Sequence, residues 1–379
     1  MTSSIMTTSS TISLLVGSRK GLFVLENNAV TAHHFQGEPV SQVLVNPHNQ
    51  MWIVALNLGH FGVKLHKSTD QGKTWAALAA PAFPQKPAAG DADFDTFKDD
   101  PIPWNVELIW SLSASGADEP NTLWAGCMPA GLFKSTDGGQ SWVLNLPLWH
   151  DPRRQLWMGG GNDFPGIHSV LVDPRNSQHI TLGISCGGVW QTFDSGESWS
   201  LTAKGMKSDY TPPDMEEDEN LQDPHCVVSC ATAPDVLWAQ HHCGIYHSTN
   251  GGKLWQQITT PISNDFPSVF GFAVAVDPLN PLRAWFAPAV KDQFRYPVDG
   301  KFVVTRTDDG GKTFKAFGKG LPHSHAYDLV YRHGLAVAPN GQDLAMASTT
   351  GSLWTSNDSG ETWLAVSQNL PPVAVVKFI

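Results

Sequence analysis

Six copies of one octapeptide punctuate the chain: "STDQGKTW" from Ser68, "STDGGQSW" from Ser135, "TFDSGESW" from Thr192, "STNGGKLW" from Ser248, "TDDGGKTF" from Thr307 and "SNDSGETW" from Ser356. Their third residues stand at positions 70, 137, 194, 250, 309 and 358, in steps of 67, 57, 56, 59 and 49 residues, with Asn250 in place of Asp. A module of about 55 residues repeated along a chain marks a propeller or a solenoid.

The modules share a grammar that decides between the two. An apolar strand ends in a proline turn ("QVLVNP", "SVLVDP", "AVAVDP", "GLAVAP"). A second strand follows ("LWAGC", "ITLGIS", "LWAQHH"), then a third that enters the octapeptide ("GLFKS", "GVWQT", "GIYHS", "GSLWTS"), then a fourth after its aromatic residue. Four short strands per unit make a propeller blade. Fifteen tryptophans, 34 glycines and 27 prolines with only 16% charged residues suit such a turn-rich, all-β chain. The N-terminal "LLVGSRKGLFVLENN" and "AVTAHHF" supply three strands of a further blade that lacks a first. The C-terminal "VAVVKFI", Val373 to Ile379, is a β-rich orphan that can supply it and leave no sheet edge open. The expectation is one all-β propeller over residues 11–379, of seven four-stranded blades with six as the fallback, behind a flexible tail at residues 1–10.

The S/T-x-D-x-G-x-x-W octapeptides resemble the Asp-box, or BNR, repeats of sialidases, sortilin-type receptors, xyloglucan-acting glycosidases and photosystem II assembly factors. More narrowly, "VGSRKGLFVLE", "PAGLFKSTDGGQSW", "QHHCGIYHSTNGGKLW" and "FGFAVAVDP" are similar to a bacterial group of sialidase-like BNR proteins. The resemblance covers nearly the whole chain and implies the propeller fold. It implies no particular reaction, because one fold hosts many.

In the family the box turns the chain between third and fourth strands. The residue types suit that role, because an Asp carboxylate accepts N–H groups of its own turn and Gly tolerates positive φ. A calcium loop needs several oxygen ligands, and each octapeptide offers too few, so the box reads as a turn lock. It also orients the blade. Consecutive antiparallel strands connect at alternating ends, so boxes and proline turns share one face. The second-to-third and fourth-to-first connections share the other, and that face holds every long insertion. Long loops on a rigid scaffold are where function concentrates.

Residues expected on the long-loop face form a polar and aromatic inventory. The ligand-binding candidates are Arg19, His60, Trp104, Trp157, His168, His225, His241, His242, Arg295, Tyr296 and Arg332. Glu107, Asp163 and Asp223 are the catalytic candidates, since glycoside hydrolysis needs two carboxylates across the scissile bond. "DPHC" at Asp223 to Cys226 and "QHHC" at Gln240 to Cys243 place His225, Cys226, His241 and Cys243 near one another, a set whose imidazoles and thiolates suit zinc or copper. Their spacing matches no established ligand motif, so a histidine lattice that binds a polar ligand or orders the loops is preferred, with no metal or other cofactor. A sialidase needs three arginines, a Tyr and Glu pair and an acid. Arg19, Arg295 and Arg332 supply cations, but the family's Arg-Ile-Pro motif is absent, which argues against that activity. "WMGGGNDFPG" at Trp157 to Gly166 lacks the strand-then-helix grammar and the lysine of a phosphate loop.

A net charge of -11 without clustered Lys and Arg argues against nucleic-acid and anionic-membrane partners. Five cysteines with no CxxC pair suit free thiols in a reducing compartment, and the N-terminus lacks the basic and apolar regions of a signal peptide, so a cytoplasmic location is expected. The functional expectation is a small polar or anionic, carbohydrate-related ligand on the long-loop face, with glycoside hydrolase-like chemistry as an option. Two alternatives stand: a scaffold that docks a protein partner there, and a metal-dependent enzyme at the His and Cys cluster.

Overall fold

The computed structural model describes residues 12–85, 94–95 and 100–379. The tail expected at residues 1–10 and most of the acidic run from Asp91 to Asp100 lie outside the described residues.

Seven four-stranded antiparallel sheets form the ring. Their innermost strands are Val40–Val45, Leu108–Ala114, Ile167–Asp173, Pro224–Cys230, Gly271–Val276, Leu335–Val337 and Val373–Phe378. The last belongs to the N-terminal blade: Val373–Phe378 pairs antiparallel with Ser13–Ser18, Val376 opposite Val16 and Phe378 opposite Leu14. The chain's two ends therefore close the ring in one sheet, as the orphan strand predicts, and seven blades replace the six-blade fallback. Among the described residues no helix is long and apolar enough to cross a membrane.

The blades hold together because each sheet buries both faces against its neighbours. Apolar clusters straddle adjacent blades: Ile53 and Leu65 pack with Ile109, Leu123 and Phe133, and Trp285 and Val304 with Leu344 and Trp354. Trp124, Trp190, Trp238, Trp285 and Trp354 are each fully buried. A tryptophan hides about 150–250 Å² of surface, so at about 25 cal/mol per Å² each contributes on the order of 4–6 kcal/mol before entropy is counted.

The octapeptides are the turn locks that their composition suggests. In the copy from Ser135, Asp137 Oδ1 accepts the Ser135 hydroxyl at 2.8 Å and the N–H groups of Gln140 and Ser141 at 2.9 Å, and Oδ2 accepts the Ser141 hydroxyl at 2.6 Å. These bonds hold Asp137 down at about 2, with the Ser141 hydroxyl the largest contributor. The copy at Asn250 keeps the N–H of Leu254 at 3.0 Å, but Leu254 has no hydroxyl to give. The aromatic residue does more than seal its own blade. Trp142, Trp199 and Trp255 each donate their indole N–H to the preceding blade: to Ala79 O at 3.0 Å, Asn145 Oδ1 at 2.9 Å and Thr202 O at 2.8 Å.

Candidate functional site

Six of the seven inner strands share an irregularity near their entrance. The pairing register slips by one residue across Val40/Gln42, Ile109/Ser111, Ile167/Ser169, Pro224/Cys226 and Gly271/Val274, and between Val373 and Val375. A bulge leaves one residue without a cross-strand partner and re-aims its side chain. The residues so released are Ser41, Trp110, His168, His225, Phe272 with Ala273, and Ala374. In the remaining blade His333 holds the corresponding place, joined by a bridge to Val375. Ser41, Trp110, His225, Phe272, His333 and Ala374 all line one cavity of about 820 Å³.

That cavity opens on the face opposite the octapeptides, at the end of the channel where the long loops gather. Arg19, Asp223, His225, His242, Arg295 and Arg332 line it, together with Tyr210, Tyr331, Met158, Cys186 and Asp292. A second space of about 470 Å³ runs among the inner strands behind it, lined by His168 and Cys226, and shares Arg332 and His333 with the first. These two residues thus stand at the waist of the channel.

Asp223 is the hub of one wall. Its Oδ1 accepts the Cys186 N–H at 3.0 Å, and its Oδ2 lies 3.3 Å from His225 Nε2 and 3.4 Å from His242 Nδ1. Burial pushes the Asp223 carboxyl up, but His225, His242 and His241 more than offset this and hold it well below the usual range. For His242 burial lowers the pKa, and the facing Asp223 carboxylate outweighs it, so the net shift is upward. Burial raises the Cys186 thiol far out of the reactive range. The loop over this wall passes close: a Cβ on Gly160, whose φ is +58°, would sit 2.8 Å from Cys186 Sγ.

Arg332 reaches the same cavity from the blade whose inner strand is Leu335–Val337. Only 8% of the arginine is exposed, its Nε has no hydrogen-bond partner, and no carboxylate among the described residues pairs with it. Its guanidinium lies 4.4 Å above the Trp110 ring and 5.7 Å from Phe272. Burial lowers its pKa from the free value. Arg295 reaches the same cavity 5.2 Å from the Phe272 ring, with Nε held to Asp292 Oδ1 at 3.1 Å.

Other candidates on this face turn away from the cavity. His241 is fully buried: its Nε2 and Nδ1 face the N–H groups of Asp223 and Cys243, each at 3.0 Å, and burial lowers it to about 3. His168 is buried in the channel, with Nδ1 3.0 Å from Ser169 Oγ and Nε2 unpartnered. Trp157 donates to Asn220 Oδ1 at 2.9 Å inside the core, and Trp104 donates to Pro84 O at 2.7 Å. His60 and Tyr296 are exposed, the first against Phe61 and the second near Phe294. Glu107 and Asp163 are exposed outside the cavity's lining. Partial burial raises the Glu107 carboxyl, and the charge of Asp163 raises it further.

The grouping of His225, Cys226, His241 and Cys243 is corrected by the fold. Cys226 faces the second space and packs with Trp238 and Phe286, and Cys243 Sγ donates to Asp209 Oδ1 at 3.0 Å. The register slip at His225 sends its neighbours Pro224 and Cys226 to other surroundings. All five cysteines are free.

Trp110, Phe272 and His333 are lining residues that the residue types alone did not single out. A signal existed: Ser41, His168, Phe272 and His333 each stand six residues before a turn proline, at Pro47, Pro174, Pro278 and Pro339.

No family model matches the chain. It is 27% identical over 282 residues to an oligoxyloglucan-reducing end-specific xyloglucanase of Emericella nidulans, an alignment covering 68% of this chain and 32% of the relative. The chain thus spans about a third of that curated relative's length. Among solved structures, an ancestral GH74 enzyme superposes with a TM-score of 0.57 at 17% identity, covering 98% of this chain and 40% of the other. YCF48 bound to D1 peptide superposes with a TM-score of 0.52 at 15% identity, covering 95% of this chain and 85% of the other. The chain is a seven-bladed propeller with GH74 and YCF48 propellers as structural neighbours, and xyloglucanases are similar to it in sequence.

Proposed function

We propose that the propeller binds a small anionic, carbohydrate-type ligand in the cavity at the channel mouth, its acid group against Arg332 and Arg295. The observation that carries this reading is Arg332, a buried cation whose Nε has no hydrogen-bond partner and which has no carboxylate at ion-pair distance among the described residues, the charge of Asp223 reaching it only from further off. An unpaired buried charge is costly, and a guanidinium is a ready receptor for a carboxylate or phosphate. Supporting it, Arg19 and Arg295 line the same cavity, and its volume of about 820 Å³ falls in the range of sites that enclose small organic molecules. The carbohydrate part rests on the sequence similarity to xyloglucanases.

The test is a thermal-shift panel of sugar acids, sugar phosphates and neutral xyloglucan oligosaccharides. A ligand at a hundred times its Kd stabilises by about 2.7 kcal/mol, readable as a shift of a few degrees. An anionic member is expected to give that shift, and Arg332→Met to remove it. A response confined to neutral members, or none at all, overturns the anionic assignment.

A second reading, glycoside hydrolysis at the rim, is favoured by the coupling of Glu107 with Asp163. Partial burial and the charge of Asp163 push the Glu107 carboxyl up, the direction a general acid needs. Release of reducing sugar by the wild type, lost in Glu107→Gln and Asp163→Asn, tests it. Recovery of a bound protein with no response to any small molecule favours the scaffold alternative instead.

A further inference from the structure

Asp223, His225 and His242 bring three metal-ligating atoms within 4.8 Å of one another. Each sits where its environment already decides which atom it offers. His225 Nδ1 lies 2.7 Å from Gly271 O, a carbonyl that can only accept, so Nδ1 carries a proton toward it and Nε2 is the atom turned to Asp223. This is the arrangement that fixes the tautomer of metal-bound histidines: one ring nitrogen donates to a carbonyl or carboxylate, and the other points at the ion. The Cys186 N–H pins Asp223 Oδ1 at 3.0 Å and leaves Oδ2 facing both imidazoles. The His242 ring is held edge-on by Tyr210 at 5.1 Å and Phe270 at 5.8 Å.

The separations speak to what lies between these atoms. His225 Nε2 faces a carboxylate oxygen 3.3 Å away, a contact that needs a proton or a cation between the two atoms. A charge-assisted hydrogen bond closes to about 2.7–2.9 Å, and neither His225 at 3.3 Å nor His242 at 3.4 Å closes that far on Asp223 Oδ2. Ligands about 2.0–2.1 Å from a tetrahedral ion are about 3.3 Å apart along each edge, which follows from the bond lengths of zinc sites. The two Asp–His distances match that edge. All three residues line the cavity, so a fourth coordination position faces open space.

We propose that Asp223 Oδ2, His225 Nε2 and His242 Nδ1 form a three-ligand site for a borderline divalent transition-metal ion such as zinc, with its open position toward the cavity. Two imidazoles and one carboxylate are the donor set of open, substrate-accessible metal sites. The site stands whether or not a carbohydrate is the ligand, because it rests on these residues alone.

The experiment uses the full chain purified without an affinity tag, stripped with a chelator and titrated with cobalt(II) as a spectroscopic stand-in for zinc, with no carbohydrate present. One equivalent is expected to bind with visible d–d absorption, and zinc to displace it. His242→Ala, at a turn and partly exposed, and Asp223→Asn are each expected to weaken uptake tenfold or more, with melting curves showing that both variants fold. Cys243→Ser is expected to leave it unchanged. Absence of saturable uptake by the wild type, or equal uptake by folded His242→Ala and Asp223→Asn, overturns the proposal. Neither result bears on the sugar panel, so the two readings fail separately.

Discussion

The guanidinium of Arg332, in the turn before the Leu335–Val337 strand, lies 4.4 Å over the indole of Trp110 at the waist of the channel. The ring face offsets part of the cost of burying the charge, since a desolvated cation–π contact contributes about 2 kcal/mol. It does not supply hydrogen-bond acceptors, and Nε stays unpartnered. Arg332→Met keeps the packing on Trp110 and removes the charge. The melting temperature is expected to hold or rise, while affinity for an anionic ligand falls about 10–100-fold, the worth of a hydrogen-bonded charge. Calorimetric melting beside a binding titration reads both, and a fall in stability without loss of binding contradicts the assignment.

The octapeptide turns are expected to matter for stability and not for ligand. Asp358→Ala deprives the hydroxyls of Ser356 and Thr362 and the N–H of Thr362 of their acceptor. A lower melting temperature with unchanged binding is the expected pair of results, because this turn lies on the face away from the cavity.

The copy at Asn250 offers the reverse experiment. Leu254, 42% exposed, stands where the other copies have Ser or Thr. Asn250→Asp combined with Leu254→Thr rebuilds the missing hydroxyl-to-carboxylate bond. The double variant is expected to melt higher than the wild type and higher than either single change.

Acid is expected to loosen the ring through the same carboxylates. Asp70, Asp137 and Asp194 are each held at about 2 by bonds within their own turns, the hydroxyl of Thr74, Ser141 or Ser198 contributing most. Unfolded, an Asp titrates near 3.9. A depressed folded value means that the stabilisation is complete above the unfolded pKa and is lost as pH falls through the folded one. The urea midpoint should therefore decline between pH 4 and pH 2, and Asp137→Asn, which cannot titrate, should flatten that decline. An equal decline in the variant argues against the turns as its source.

Ring closure is expected to be all-or-none. Val376 is 3% exposed and pairs with Val16. Val376→Asp buries an unpaired carboxylate in the sheet that joins the chain ends, and such groups are among the costliest substitutions. Loss of the wild-type peak in size-exclusion chromatography is expected, since an opened ring presents free strand edges.

The fold was legible because its signal repeats. Each octapeptide, proline turn and apolar strand recurs in several modules, so even the blade without an octapeptide and the closing strand Val373–Phe378 could be placed by analogy. The site was half legible. Strand alternation assigned Arg19, Asp223, His225, His242, Arg295 and Arg332 to one face, and these six line one cavity. Depth was not encoded in residue type. His241 and Trp157 lie on the same face in sequence terms, yet backbone N–H groups and Asn220 claim their polar atoms inside the wall. Conversely Trp110 and Phe272 carry no polar signal in the sequence, and the register slips at the strand entrances place them in the cavity lining. Alternation counts two residues per repeat, and a bulge adds one, so a face assigned by parity is wrong at that residue.

Those slips also set how the ring can be altered. A residue released from the ladder has no cross-strand partner whose fit must be kept, and five blades present one such place at the channel mouth. Ser41, Trp110, His225, Phe272 and Ala374 occupy equivalent slots on a common frame. Exchanging side chains among them rewrites the chemistry of the mouth while the hydrogen-bonded ring stays as it is, so selectivity and folding are governed by different residues.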